Sequence, residues 1–125
     1  MAYGNLAADV VQSSTAGTPP QFNDGNGTQV GTLCRAWVQF VPATTTINAS
    51  FNVSSITRSA AGQYLVNLTT ALPDNKYSAV CSSYSSTSVL NYNSLYPAPT
   101  ASVVGVTCYN GGYVDPNLYT ISIFR

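Results

Sequence analysis

The sequence predicts an all-β domain, an antiparallel β-sandwich or barrel preceded by an extended N-terminal arm. Three observations carry this prediction. Apolar residues recur at every second position in several short segments, turn residues separate these segments, and no stretch has the apolar spacing of an amphipathic helix. Short strands separated by turns in this way are typical of sandwiches and barrels.

The first part of the chain, residues 1–31, has the composition of an irregular arm rich in Pro, Gly, Ser and Asn. Adjacent prolines at 19 and 20 favour an extended backbone, and residues 23–27 (Asn-Asp-Gly-Asn-Gly) are a turn signal. Such an arm is either held by a neighbouring subunit or mobile, and the sequence leaves both open. Residues 32–125 form the predicted β-sandwich domain.

Six strands are predicted in this domain. The first, residues 35–40, is rich in aromatic and β-branched residues and is closed by Pro42. Residues 47–56 show the clearest alternation of apolar and polar residues, and a turn at residues 58–62 leads into a third strand around residues 64–68. The remaining strands are expected at residues 77–84, 100–109 and 118–124.

The predicted core comes from apolar positions of the first three strands. Its members are Trp37, Phe40, Phe51, Val53, Tyr64, Val66 and Leu68. Because Trp37 lies in a strongly apolar strand, we expect it to be buried in the core or at a subunit seam. The substitution Trp37→Ala is then expected to cost about 3–5 kcal/mol.

Charged residues are few in this chain. Lys and Arg number 4, Asp and Glu number 4, and Ser, Thr and Asn together number 40. A surface of hydroxyls and amides has little repulsion to keep copies apart, so we expect a homo-oligomer within a larger assembly. So few basic residues do not form the positive surface that nucleic acid needs. The apolar runs are too short to span a bilayer, so no membrane insertion is expected.

The residue types also argue against an enzyme. Without His the chain has no ordinary neutral-pH base, and its four acidic residues, all Asp, are far apart in the sequence. We therefore predict no catalytic residue, no cofactor and no metal site. Cys34, Cys81 and Cys108 have spacings unlike a zinc site or a disulfide framework. We interpret them as small buried side chains, with a disulfide between two of them left open.

Three stretches resemble a small domain common among virion proteins of tailed bacteriophages, whose pattern reads roughly CRAWVNF, ASFNVSSIT and GxYxVNFTTAxPDxxY. They are residues 33–40 (LCRAWVQF), 49–57 (ASFNVSSIT) and 62–77 (GQYLVNLTTALPDNKY), and the closing residues 121–125 (ISIFR) match as well. The chain departs from the pattern at residues 41–44, where a Gly-containing turn is usual, and over residues 82–99, which do not align.

The resemblance implies a phage virion structural protein, made in the cytoplasm of the host bacterium, in contact with other virion proteins and, by the fibre analogy, homotrimeric. The segment that does not align contains Tyr84, Tyr92 and Tyr96 among serines and asparagines, a mixture that makes adaptable contact surfaces. In a tail-fibre or tail-tip subunit we expect these tyrosines to contact a host-surface glycan or protein. The alternative is a capsid decoration protein or head fibre that stabilises the shell without a receptor role.

Overall fold

The computed structural model describes residues 4, 7–16, 19–86 and 92–125, which form ten β-strands and no helix. The strands are β1 (Phe22–Asn23), β2 (Gln29–Gly31), β3 (Cys34–Val41), β4 (Thr46–Phe51), β5 (Val53–Ala60), β6 (Gln63–Leu68), β7 (Ser78–Tyr84), β8 (Tyr92–Ser94), β9 (Val103–Tyr109) and β10 (Leu118–Phe124). The all-β prediction is confirmed.

Eight of these strands form two four-stranded antiparallel sheets. The first sheet has the strand order β4-β3-β10-β7, and the second has the order β5-β6-β9-β8. Buried side chains of the two sheets pack against one another. Each sheet is open at both ends of its strand order, so the described residues form a sandwich, and the alternative of a closed barrel is wrong.

The chain divides into two compact units, Met1–Leu33 and Cys34–Arg125, two residues beyond the predicted boundary. In the first unit, β1 and β2 form a short antiparallel hairpin. Asp24 closes its turn, because Asp24 Oδ1 accepts hydrogen bonds from the backbone N–H groups of Asn26 and Thr28 at 2.9 and 2.8 Å. The turn predicted at residues 23–27 therefore joins two strands within the region predicted to be an irregular arm.

The core of the second unit lies between its two sheets. The buried apolar residues are Ala36, Val38, Phe40, Ile56, Tyr64, Val66, Leu68, Leu72, Val104, Val106, Cys108, Tyr119, Ile121 and Ile123. Three aromatic rings meet within this set, with the Phe40 ring centroid 5.4 Å from that of Tyr64 and 5.5 Å from that of Tyr119. The predicted core positions Phe40, Tyr64, Val66 and Leu68 are confirmed.

Trp37 and Phe51 are not part of this core. Trp37 is 38% exposed and Phe51 is 55% exposed, and the two are direct cross-strand partners on the solvent side of the first sheet. In β3 the buried positions are Ala36, Val38 and Phe40, whose side chains point to the opposite face from Trp37. The prediction that Trp37 and Phe51 belong to the core of the chain is therefore wrong.

The strands β4 and β5, predicted as one continuous strand, are separated by Asn52. Its backbone φ is 56°, in the left-handed region that Asn tolerates better than most residues. Asn52 Nδ2 donates to the carbonyl groups of Arg35 and Thr70 at 3.1 and 3.0 Å, which holds the residue in place. The chain passes here from the first sheet to the second, so Phe51 faces solvent whereas the half-buried Val53 packs against the core.

A hydrogen-bond network around Asp115 joins the turn after β5 to the segment before β10. Asp115 Oδ1 accepts from the Gly62 N–H at 2.8 Å and from the Tyr64 hydroxyl, while Arg58 Nη2 lies 2.6 Å from Asp115 Oδ2. Burial of Asp115 opposes its ionisation, but the hydrogen bonds from Arg58, Gly62 and Tyr64 outweigh burial and lower the pKa of Asp115. Burial and the bond to Asp115 both raise the pKa of Tyr64.

The lowered pKa values of Asp115 and Asp74 predict that the protein loses stability in acid. A carboxyl group with a lowered folded-state pKa contributes stability above its unfolded pKa of about 3.9 and loses that contribution as the pH falls through its folded pKa. Asp74, paired with Arg125, has its pKa lowered to about 2, so its contribution has the same sign of dependence on pH. We expect the melting temperature to fall between about pH 4 and pH 2.

The variant Asp115→Asn separates the contribution of Asp115 to stability from that of Asp74. Because it removes the charge that Tyr64 and Arg58 contact, its melting temperature should be lower than that of the wild type at neutral pH. Its further fall in acid should be smaller, since only the Asp74 contribution remains. Parallel melting curves for the variant and the wild type across this pH range would contradict the assignment to Asp115.

Candidate functional site

The candidate site is the solvent-facing side of the first sheet, which we term the Trp37 face. Strand register aligns its residues in rows across β4, β3, β10 and β7. The first row, largely apolar, consists of Phe51, Trp37, Ser122 and Val80. The second row, largely polar, consists of Ala49, Gln39, Thr120 and Ser82. Beyond the second row, Leu118 of β10 lies opposite Tyr84 of β7.

Large side chains on the Trp37 face are exposed because the strands alternate between core and solvent. In β7, Ala79 and Cys81 pack against the core, while Val80 and Tyr84 point outward and are 60% and 62% exposed. Together with Trp37 and Phe51, they place large exposed apolar side chains on β3, β4 and β7. Because exposed apolar patches often mark interaction sites, this face is the candidate contact surface.

Neutral polar groups border the apolar row. Asn48 Nδ2 donates to Gln39 Oε1 at 3.4 Å, and Thr120 Oγ1 donates to the backbone carbonyl of Ser82 at 3.3 Å. A carboxamide has two N–H donors and an acceptor oxygen with two lone pairs, so one shared hydrogen bond leaves each amide further capacity. Arg35 is the only charged residue in β3, β4, β7 and β10. The surface therefore combines apolar side chains with uncharged hydrogen-bonding groups.

Two of the three tyrosines predicted to contact a receptor, Tyr84 and Tyr96, are not brought together. Tyr84 ends β7 and lies on the Trp37 face. Tyr92 begins β8 in the second sheet, and its side chain is outside the described part of the chain. Tyr96 is 57% exposed, and its segment crosses the outer side of the second sheet at Gly105, where an added Cβ would lie 2.6 Å from Pro97. Tyr84 and Tyr96 are therefore on the outer faces of different sheets.

Sequence reasoning missed an exposed aromatic pair, Tyr109 and Tyr113. Their ring centroids are 5.6 Å apart and their planes are nearly perpendicular, at 85°. Tyr109 pairs with Tyr92 in the ladder between β9 and β8, and an isolated bridge joins Tyr109 to Tyr113. The available signal was a tyrosine on each side of the Asn-Gly-Gly turn at residues 110–112, a composition that favours a tight reversal of the chain.

Potential metal ligands and thiols are not clustered in the described residues. No group of three or more His, Cys, Asp or Glu side chains that would hold a metal ion occurs among them. The three cysteines are free thiols, and Cys108 belongs to the core while Cys81 packs against it. Burial raises the pKa of the Cys81 and Cys108 thiols, which keeps both protonated at neutral pH.

The described residues contain no helix with the length and apolar character needed to cross a membrane. Comparisons of the chain with protein-family models, with curated protein sequences and with solved structures yield no match. The resemblance of its motifs to a phage virion domain therefore stays a prediction.

Proposed function

We propose that the chain is a structural subunit of a tailed-phage virion, in a tail fibre or tail tip, and that it contributes to attachment to the host surface. The observation that carries this proposal is the Trp37 face. A nearly uncharged sheet surface with exposed Trp37, Phe51, Val80 and Tyr84 suits contact with another surface. The three sequence motifs that resemble a phage virion domain support the virion setting.

The distribution of charge supports a contact role. The chain has a formal net charge of zero, and the ion pairs Arg58–Asp115 and Arg125–Asp74 engage four of its charged residues within the fold. A neutral surface recognises a partner through apolar contact and through hydrogen bonds from hydroxyls and amides. Weak contacts of this kind gain strength from repetition, so we propose that the chain acts as a homo-oligomer, with a trimer favoured by the fibre analogy.

Adsorption of a variant phage tests the attachment role. Because Tyr84 is exposed on the Trp37 face, Tyr84→Ala should leave folding and virion assembly intact. We expect the adsorption rate constant on host cells to fall about tenfold, the loss typical of an exposed aromatic contact at a binding surface. Tyr96→Ala is the matched control, since Tyr96 has similar exposure but lies on the other sheet, and it should adsorb at the parental rate.

Localisation decides between the proposal and its alternative. Gold-labelled antibody against this chain should mark the tail of intact virions in electron micrographs. Label over the capsid shell, together with parental adsorption by the Tyr84→Ala phage, would overturn the attachment role. That result would support a capsid decoration protein, whose absence would lower the resistance of particles to heat.

A further inference from the structure

We propose that the Trp37 face binds a neutral glycan chain, with the rings of Trp37 and Phe51 as its stacking platform. The inference deepens the attachment function proposed above and rests on it for its biological setting. The binding itself is a property of the folded chain and is testable with the purified protein.

The platform consists of two aromatic side chains placed side by side. Trp37 and Phe51 are opposite residues in the pairing of β3 with β4, and Cβ atoms at such positions lie about 5 Å apart. Both side chains are exposed. A sugar ring has an apolar C–H face with hydroxyls around its rim, so neighbouring aromatic rings on a sheet can cover that apolar face.

Hydrogen-bonding groups stand next to this platform. Gln39 lies two residues after Trp37 on the same side of β3, and its carboxamide accepts a hydrogen bond from Asn48 at 3.4 Å. Ser122 lies directly opposite Trp37 in β10. A sugar ring stacked on Trp37 and Phe51 would place its rim hydroxyls near these amide and hydroxyl groups. Ligand sites commonly combine an apolar base with a few placed polar groups in this way.

The extent and charge of the face match an uncharged oligosaccharide. The row from Phe51 to Val80 crosses four strands. At a strand spacing of about 4.8 Å it spans about 14 Å, the length of a short oligosaccharide. With Arg35 as the only charged residue in the four strands, the face offers no array of charges for a polyanion or a basic partner.

The composition of the face favours a glycan over a second copy of this chain. A stable protein–protein interface buries about 800 Å² on each partner, and its fully buried centre is more apolar than the surrounding surface. Here the large apolar side chains of the first row are separated from Leu118 and Tyr84 by a row whose only apolar member is Ala49. Apolar side chains interrupted by a row of amide and hydroxyl groups fit a sugar chain better than a continuous apolar protein contact.

The fluorescence of Trp37 provides the test. Trp37 is the only tryptophan of the chain, so its emission reports on this face alone. The purified full chain is titrated with dextran, mannan and cellohexaose as neutral probes and with polysialic acid as the charged probe. We expect a saturable blue shift of the emission with at least one neutral probe and none with polysialic acid.

Substitutions test whether the glycan binds at Trp37 and Phe51. Phe51→Ala keeps the reporter and should weaken binding about tenfold, while Tyr96→Ala on the other sheet should bind like the wild type. Affinity electrophoresis in gels that contain the same neutral glycan should show loss of binding by Trp37→Ala. If melting curves show that Phe51→Ala does not fold, Phe51→Leu replaces it, because leucine keeps apolar bulk and removes the ring.

Three outcomes would overturn the proposal. They are a lack of response to all neutral probes, equal affinity of the Phe51 variants and the wild type, and a response confined to polysialic acid. A blue shift that rises with protein concentration in the absence of glycan, with a scattering mass that is a multiple of 13.1 kDa, would instead assign the face to contact between copies. None of these outcomes changes the adsorption and localisation results on virions. The glycan proposal can therefore be wrong while the attachment proposal is correct, and the reverse.

Discussion

Phe40→Ala should lower the free energy of unfolding by about 3–5 kcal/mol, the typical cost of removing a buried phenylalanine ring. Phe40 is fully buried, and its ring meets those of Tyr64 and Tyr119 at centroid distances of 5.4 and 5.5 Å. Truncation leaves a cavity between the sheets and removes the edge-to-face contact with Tyr64. In thermal unfolding, each kcal/mol should lower the melting temperature by about 4–8 °C for a unit of this size.

Trp37→Ala is the control for this substitution, and the structure reverses the expectation drawn from the sequence. Since Trp37 is 38% exposed on the outer face of the sheet, its truncation opens no enclosed cavity. We expect a cost of about 1 kcal/mol, well below that of Phe40→Ala. Equal destabilisation by the two substitutions would mean that β3 presents its other side to the core.

Gly62→Ala should destabilise the protein by about 3 kcal/mol through two separate costs. Gly62 has φ +65°, a left-handed conformation that is strained for a residue with a side chain. An added Cβ would also lie 2.5 Å from the Cys108 carbonyl oxygen and 2.6 Å from the Val114 nitrogen. These are backbone atoms and cannot rotate away, so relief requires movement of the chain that accepts and donates the neighbouring hydrogen bonds.

Gly111→Ala separates the two costs. Gly111 has φ +69°, close to that of Gly62, but an added Cβ at Gly111 would meet no atom within 4 Å. Its substitution should therefore cost only the backbone strain, about 1 kcal/mol. Urea unfolding of both variants gives the comparison. If the two variants were equally stable, crowding against Cys108 and Val114 would contribute nothing at Gly62.

The core positions of β6 could be predicted from the sequence because one face of that strand is apolar and the other is mixed. Tyr64, Val66 and Leu68 alternate with half-buried Gln63 and Asn67, so a period of two identifies the buried face. The same reasoning failed in β4 and β5. There the apolar alternation runs from Ile47 to Val53, but a register shift between Ile47 and Ala49 turns Phe51 outward, and the chain then changes sheets at Asn52.

The candidate site was only partly predictable for a related reason. Composition indicated Tyr84 as a contact residue, and the structure places it exposed on the Trp37 face. Trp37 itself was assigned to the core because both sides of β3 carry large apolar residues, so the strand's pattern does not distinguish its two faces. Ala36, Val38 and Phe40 alternate along β3 and indicated the buried face correctly. The prediction instead followed the size of the Trp37 side chain.

The features that could be predicted from the sequence are local: an all-β chain with turns at particular residues and a nearly uncharged polar surface. These features follow from the period of two and from turn residues, which act over a few positions. The packing of the two sheets was needed to show which side of β3 is buried, and that Trp37 and Tyr84 share one face while Tyr96 lies on another. That choice depends on register between strands far apart in the chain, where a shift of one residue exchanges the buried and exposed faces.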